Sequence, residues 1–197
     1  MNGLAFALIV ALTNGVFGSE VDWIAVPGVP VMDVSHKDFG KTIGTAPGAS
    51  CFVKAIDVGT DVKSAFWTVT GQGVFEAFVN GRRVGDDFLK PGFTHVLKTR
   101  HSFSYDVTSL IKPGRNVLAA MVTAGWWSDK IAGYQGKERA FRAQLTVRSA
   151  DGTEKVFGTD SSWIGAVAGP VKRASIFEGE SYDARVETPW LTTGADE

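Results

Sequence analysis

Short apolar runs alternate with turn residues along most of the chain. The predicted strands span residues 51–58, 64–69, 74–79, 82–88, 102–106, 116–123, 139–147 and 154–158. Within 74–79, every second residue is apolar, so one face of that strand is expected to pack on a core. Many short strands with turn signals between them are typical of an all-β sandwich.

The turns between these strands carry recognisable signals. The Asn80-Gly81 and Asp151-Gly152 pairs predict two tight hairpins, because a type I′ turn needs positive φ at both central residues. One short helical turn is expected within 106–111. Strand patterns do not alternate with long helical ones, which argues against a parallel sheet.

The first residues form a separate segment. Residues 4–12 are almost wholly apolar, and the first charge is Glu20. The run is too short to span a bilayer and is typical of the apolar part of a secretory signal; a buried strand or helix is the alternative. We therefore expect a signal over 1–18, a lead-in over 19–50, a sandwich over 51–187, and a secreted or periplasmic protein.

Composition narrows the function. The 197 residues include 20 Lys+Arg and 21 Asp+Glu, a net charge of −1, which gives no electrostatic footprint for nucleic acid. A single cysteine, Cys51, excludes an internal disulfide framework and a cysteine-based zinc site. The sequence contains no P-loop and no Gly-x-Ser-x-Gly motif. Many of its acids lie beside Gly, Ser or Thr, where turn and cap roles are expected.

Three strings carry more than composition. They are GVFEAFVNGRRVGDD at 73–87 with LKPGFT at 89–94, YDVTSLIKPGRNVL at 105–118 with Gly125-Trp126-Trp127, and IFEGESYDAR at 176–185 after Gly169-Pro170. In this order they resemble the N-terminal β-sandwich module of bacterial α-L-rhamnosidases of glycoside hydrolase family 78, over about residues 64–190. The resemblance implies a jelly roll related to carbohydrate-binding domains.

The same resemblance implies that the chain alone is not catalytic. In the family, the catalytic acid and base lie in a helical barrel that follows this module, and residues 188–197 resemble the start of the next β-domain. The implied partner is the rest of a parent rhamnosidase. Hydrolysis of a nitrophenyl rhamnoside by this chain would contradict that expectation.

A sugar site on a sandwich needs an aromatic platform and a few planar polar groups. The best cluster follows a predicted strand: Trp126, Trp127, Asp129 and, further on, Tyr134. Trp127 is expected to contact sugar and Trp126 to pack. Relatives of the module bind rhamnose with calcium, for which Asp129 is a weak candidate ligand, but Ala124 stands where they carry an acid or amide.

A second hypothesis assigns the chain no ligand. In it, the sandwich is a structural domain that packs on the catalytic barrel. It predicts a large exposed apolar patch on the isolated chain. The partner in the first hypothesis is a rhamnose-containing glycan, and in the second it is the remainder of the enzyme.

Overall fold

A computed structural model describes residues 8–11 (backbone only), 16–29, 48–95, 98–129, 138–176 and 179–194. Strands dominate it. In chain order they are β1 (Leu8–Ala11), β2 (Ile24–Ala25), β3 (Ser50–Val58), β4 (Val62–Gln72), β5 (Val74–Val79), β6 (Arg82–Arg83), β7 (His101–Asp106), β8 (Gly114–Thr123), β9 (Ala140–Ser149), β10 (Glu154–Gly158), β11 (Ile164–Val167), β12 (Val171–Ser175) and β13 (Gly179–Tyr182).

Two antiparallel sheets face each other. The first has the order β1-β7-β4-β9-β10, with β2 also paired to β9. The second has the order β11-β3-β8-β5-β6, and β12 and β13 form a separate hairpin. The predicted all-β sandwich is confirmed.

The core between the sheets is aromatic at its centre. The Phe141 ring lies 6.1 Å from Phe52, 6.4 Å from Trp67, 6.1 Å from Phe75 and 6.1 Å from Trp163, measured between ring centroids. Trp67 and Phe141 belong to the first sheet and Phe52 and Phe75 to the second, so these rings join the two layers directly. Edge-to-face ring pairs add about 0.5–1.5 kcal/mol each beyond the burial of their area.

Both predicted hairpins are present, but the positive φ expected at both central residues is found only at Asn80-Gly81 and not at Asp151. Asn80 has φ of 50° and Gly81 has φ of 78°, and Val79 pairs with Arg82 across them. Gly152 has φ of 88° between β9 and β10. The expected helical turn is a single turn of 3-10 helix, Thr108–Leu110.

A pair of asparagines ties this end of the sandwich together. Asn116 is fully buried; its amide nitrogen donates to the carbonyls of Lys112 and Gly114. Its Oδ1 accepts from the Lys112 backbone N–H and from Asn80 Nδ2. Asn80 Oδ1 in turn accepts from Val117 N. The Lys-Pro-Gly-x-Asn string therefore specifies a network that anchors the hairpin turn to β8.

The prediction of a strand over 82–88 was wrong beyond Arg83. The Arg83 side chain donates to the carbonyls of Gly85 and Asp87, which turns the chain away from β5. Gly85 has φ of 73°, and a Cβ there would lie 2.4 Å from the Tyr105 ring. Side-chain bonds formed by the fold therefore replace the ladder that local propensity favours.

Strands β11, β12 and β13 were missed because their residues lack the buried alternation on which strand prediction depends. All four residues of β11 and of β13 are exposed. They are held by backbone pairing to β3 and within the β12–β13 hairpin. Such strands leave little hydrophobic pattern in a sequence.

Both ends of the described chain pack on the sandwich. Helix α2, Trp190–Thr193, lies in the segment expected to start another domain, and Trp190 and Leu191 cover Val53 and Val117 on the outer face of the second sheet. At the other end, β1 pairs with β7. A strand here is the alternative that the apolar run 4–12 offers to a secretory signal. Residues 4–7 and 12 of that run lie outside the described residues.

Candidate functional site

A short helix carries the predicted tryptophans. This helix, α1, spans Gly125–Ser128 and directly follows β8. Gly125 has φ of 48°, and a Cβ there would lie 2.7 Å from Val74 N. Only glycine lets the chain pass so close to the start of β5, which explains the Gly-Trp-Trp order.

The two tryptophans have different environments. Trp127 is only 8% exposed, and its Nε1 donates to the Glu138 carbonyl at 2.7 Å. Trp126 is half-buried, and its ring meets that of Phe93 edge to face at 6.3 Å. Phe93 is 61% exposed. Trp126 therefore exposes more of its ring than Trp127, the residue at which sugar contact was expected.

Asp129 is buried and holds two segments of the backbone together. It is 2% exposed, and its Oδ2 accepts from Ile176 N at 2.8 Å, which ties α1 to the end of β12. Among the described residues, no three His, Cys, Asp or Glu side chains are grouped to hold a metal ion. The described surroundings of Asp129 do not fit calcium, which takes six to eight oxygens. Tyr134 lies outside the described residues.

Arg100 lies beside the two tryptophans and contacts one of them. Its guanidinium carbon lies 5.6 Å from the Trp23 ring centroid and 5.2 Å from that of Trp127. Burial lowers the pKa of this guanidinium below its usual value, yet arginine stays charged at any physiological pH. Thr94 donates to the Thr99 carbonyl at 2.7 Å on the same rim.

We call Phe93, Thr94, Thr99, Arg100 and Trp126 the aromatic surface. A pocket beside Arg100 and Trp126 has a volume of only about 20 Å³, room for little more than one water molecule. A ligand would therefore lie across this surface rather than inside it. Sequence reasoning missed Arg100 and Phe93; the only signal was the place of Phe93 in the matched LKPGFT string.

The loop that presents Phe93 is held by buried charge. Lys90 is 1% exposed, and its Nζ donates to the Val84 carbonyl at 3.1 Å. Burial lowers the pKa of Lys90, while the Glu76 carboxylate 4.0 Å away opposes that shift. Tyr105 donates to Asp87 at 3.0 Å, and burial together with this bond raises the pKa of Tyr105. The loop is thus fixed from inside the fold.

The same loop carries a second apolar feature. Phe88 is 83% exposed and Leu89 is 51% exposed. With Tyr182 they border a groove of about 510 Å³. Strands β5 and β8 lie on one side of it and the β12–β13 hairpin on the other. We call it the apolar groove. Leu89 also has φ of 54°, a left-handed conformation that is uncommon outside glycine.

Three of the described acids have the expected turn role. Asp106 accepts from Thr108 N at 3.0 Å, Asp151 from Thr153 N at 2.9 Å and Asp160 from Ser162 N at 2.8 Å. No helix in the described ranges is long and apolar enough to cross a membrane.

Comparison with known proteins decides the family. A family model described as the alpha-L-rhamnosidase N-terminal domain matches residues 60–197. The chain belongs to this family. The predicted resemblance to α-L-rhamnosidases of family 78 is therefore confirmed.

Two curated α-L-rhamnosidases illustrate the relationship. One from Streptomyces avermitilis is 42% identical over 133 residues, which cover 65% of this chain and 13% of the relative. One from Formosa agariphila is 33% identical over 150 residues, which cover 73% and 16% respectively. This α-L-rhamnosidase N-terminal domain thus spans a small part of the length of its relatives.

Solved structures agree. The Streptomyces avermitilis α-L-rhamnosidase complexed with L-rhamnose superposes with a TM-score of 0.71 at 38% identity, covering 77% of this chain and 15% of that one. The Aspergillus terreus enzyme gives a TM-score of 0.76 at 30% identity, covering 89% and 20%. The fold is that of the rhamnosidase N-terminal domain.

Proposed function

We propose that this N-terminal domain is a non-catalytic accessory module of an α-L-rhamnosidase and binds a rhamnose-containing glycan on the aromatic surface. The supporting observation is the edge-to-face pair of half-buried Trp126 and exposed Phe93. The C–H faces of a sugar ring stack on such rings, and hydroxyl groups beside them fix its orientation. Thr94 and Thr99 stand in that position on the pocket rim.

Titration of the chain with L-rhamnose and a rhamnose-containing oligosaccharide tests the proposal. We expect heat on mixing and chemical-shift changes at millimolar sugar, lost in Trp126→Ala and Phe93→Ala. The matched control is Phe66→Ala, which removes an exposed ring from β4, and it should bind as the wild type does. Absence of heat and shift changes at millimolar sugar would overturn the proposal.

The apolar groove favours a second function, docking on the remainder of a rhamnosidase. The relatives continue far beyond the matched region, so the surface of such an enzyme is a partner of suitable size. A chimera would place this chain before the rest of the Streptomyces avermitilis enzyme, in place of its own domain. Docking predicts one cooperative thermal transition, which Phe88→Ser with Leu89→Ser should split into two. Two transitions in the unaltered chimera would exclude docking.

Export is also proposed, because residues 4–12 are apolar and uncharged, as signal segments are. The pairing of β1 with β7 favours the alternative of a folded edge strand. Sequencing the first residues of the protein recovered from outside the cytoplasm distinguishes them. A first residue near Ser19 supports export by cleavage, and an intact Met1 in a cytoplasmic fraction opposes it.

A further inference from the structure

Arg100 is held in a fixed orientation by rings from distant parts of the chain. Trp23 precedes β2, Trp127 lies in α1, and Arg100 lies directly before β7; the guanidinium carbon is within 5.6 Å of both ring centroids. Arginine stacks on aromatic rings through its flat faces and keeps its N–H donors at the edge. Stacking therefore fixes the donors without using them.

Those donors have no acceptor in the part of the chain that the structure describes, where only ring contacts are found for the Arg100 side chain. Burial lowers its pKa, and no described carboxylate opposes that shift. Three other arginines on the described surface are each compensated by a carboxylate. Those paired with a carboxylate are Arg83 with Glu76, Arg148 with Glu154 and Arg185 with Asp183.

Among the described residues, those that line the pocket beside Arg100 carry no opposing charge. The adjoining pocket is lined by glycines, Pro91, the two threonines and the two tryptophans, with no acid among them. Arg100 is exposed, whereas the rings that it contacts, Trp23 and Trp127, are half-buried and buried. The guanidinium therefore faces outward. A planar guanidinium matches a carboxylate or an oxyanion ester through two parallel hydrogen bonds.

We propose that Arg100 makes the aromatic surface selective for sugars that carry a negative charge. The ligand class is an anionic glycan residue, in which the charge is either a uronic carboxylate or a sulfate ester. One face of the sugar ring lies on Trp126 while its edge meets Phe93, and its anionic group accepts from the Arg100 edge. The inference rests on the proposed sugar-binding function and names the chemistry that this function selects.

Matched pairs of sugars test it. The chain is titrated at low salt with methyl glucoside, methyl glucuronide and a glucose sulfate, and separately with methyl L-rhamnoside. We expect the glucuronide, the sulfate or both to bind about tenfold more tightly than the glucoside. The arm that responds identifies carboxylate or sulfate as the charge. Added salt should weaken only the charged sugars.

Variants locate the effect. Arg100→Gln should abolish the preference, and Arg100→Lys should retain part of it, since lysine keeps the charge but loses the paired hydrogen bonds. The control is Arg82→Gln, an exposed arginine at the opposite end of β5, which should keep the full preference. Thermal unfolding shows whether Arg100→Gln is folded; if it is not, the lysine variant carries the test.

Each outcome has one meaning. Rhamnoside binding with equal affinity for glucoside, glucuronide and sulfate overturns this inference and leaves the proposed function standing. Tighter anionic binding that persists in Arg100→Gln also overturns it. Failure of every sugar to bind overturns both, and anionic preference that disappears with Arg100→Gln supports the inference.

Discussion

Asn116 shows how much of the fold rests on single polar side chains. Its amide donates two hydrogen bonds, to Lys112 and Gly114, and accepts two, from Lys112 and Asn80. A buried polar group that loses its partner costs about 1–3 kcal/mol. Asn116 is therefore a structural residue, although it lies in one of the strings that carry the family resemblance.

Asn116→Ala should lower the free energy of unfolding by about 3 kcal/mol, because it removes the four hydrogen bonds that this buried amide makes with Lys112, Gly114 and Asn80. Urea denaturation at neutral pH measures the change. Lys112→Ala is the control, since the exposed Lys112 enters the network only through its backbone and should stay within about 0.5 kcal/mol of wild type. Equal effects of the two substitutions would contradict the network's role.

Cys51 predicts a pH effect. The thiol is 5% exposed and donates to the Ala168 carbonyl at 3.0 Å, and burial raises its pKa from 9.0 to about 11. Between these values the unfolded chain loses the thiol proton while the folded chain keeps it, so stability falls as pH rises.

We expect the stability difference between wild type and Cys51→Ala to shift against wild type by about 2 kcal/mol from about pH 8 to about pH 10.5. Subtracting the variant removes the contribution of other groups that ionise in this range. Parallel pH profiles would show that the thiol ionises equally in both states.

Residue types were easier to predict than their surroundings. The tryptophans after β8 follow from composition and position, but their relative burial depends on Glu138, Phe93 and Arg100, which the fold brings to them. Arg100 has no local signal, because its partners lie far away in the sequence. A stacked arginine becomes recognisable only in three dimensions.

At the scale of elements, turns with backbone requirements were predicted best. The Asn80-Gly81 hairpin depends on positive φ, which few residues tolerate, so two residues suffice to identify it. Strand 82–88 failed because the side-chain bonds of Arg83 redirect the backbone. Local propensity describes a segment well only where tertiary contacts agree with it.

Helix α2 stabilises the fold by packing on the second sheet. Trp190 and Leu191 cover Val53, Val117 and Ala119 on the outer face of the second sheet. Trp190→Ser with Leu191→Ser should lower the free energy of unfolding by about 2–4 kcal/mol through lost apolar burial. Thermal or urea unfolding measures it, with the exposed Glu187→Ala as a control close to wild type. A change no larger than that of the control would mean that α2 is only loosely attached.

At the scale of the whole molecule, the apolar groove and its exposed rim predict association. Phe88 and Leu89 project from a loop that Lys90 fixes from within. Phe88→Ser with Leu89→Ser should reduce binding of an apolar dye at least about twofold and reduce self-association in sedimentation experiments. Val156→Ser, which changes an exposed residue of β10, should leave both unchanged. Unaltered dye binding in the double variant would place the apolar surface elsewhere.

The fold class was predictable because alternation and turn signals recur along the chain, whereas strand order was not. Strand β4 pairs with β7 and β9, and β3 pairs with β8 and β11. Nothing in either strand specifies these distant partners beyond an apolar face. The family strings supplied what local physics does not.

The pairing of distant strands has a consequence for synthesis. Strand β3 pairs with β8, and strand β4 pairs with β9. In both pairs the second strand is translated well after the first. At about 5–20 residues per second, the wait lasts several seconds. During that time the nascent segment with Trp67 and Phe52 emerges from the ribosome with its apolar face uncovered. Chaperones that bind short apolar stretches are therefore expected to capture this chain before release.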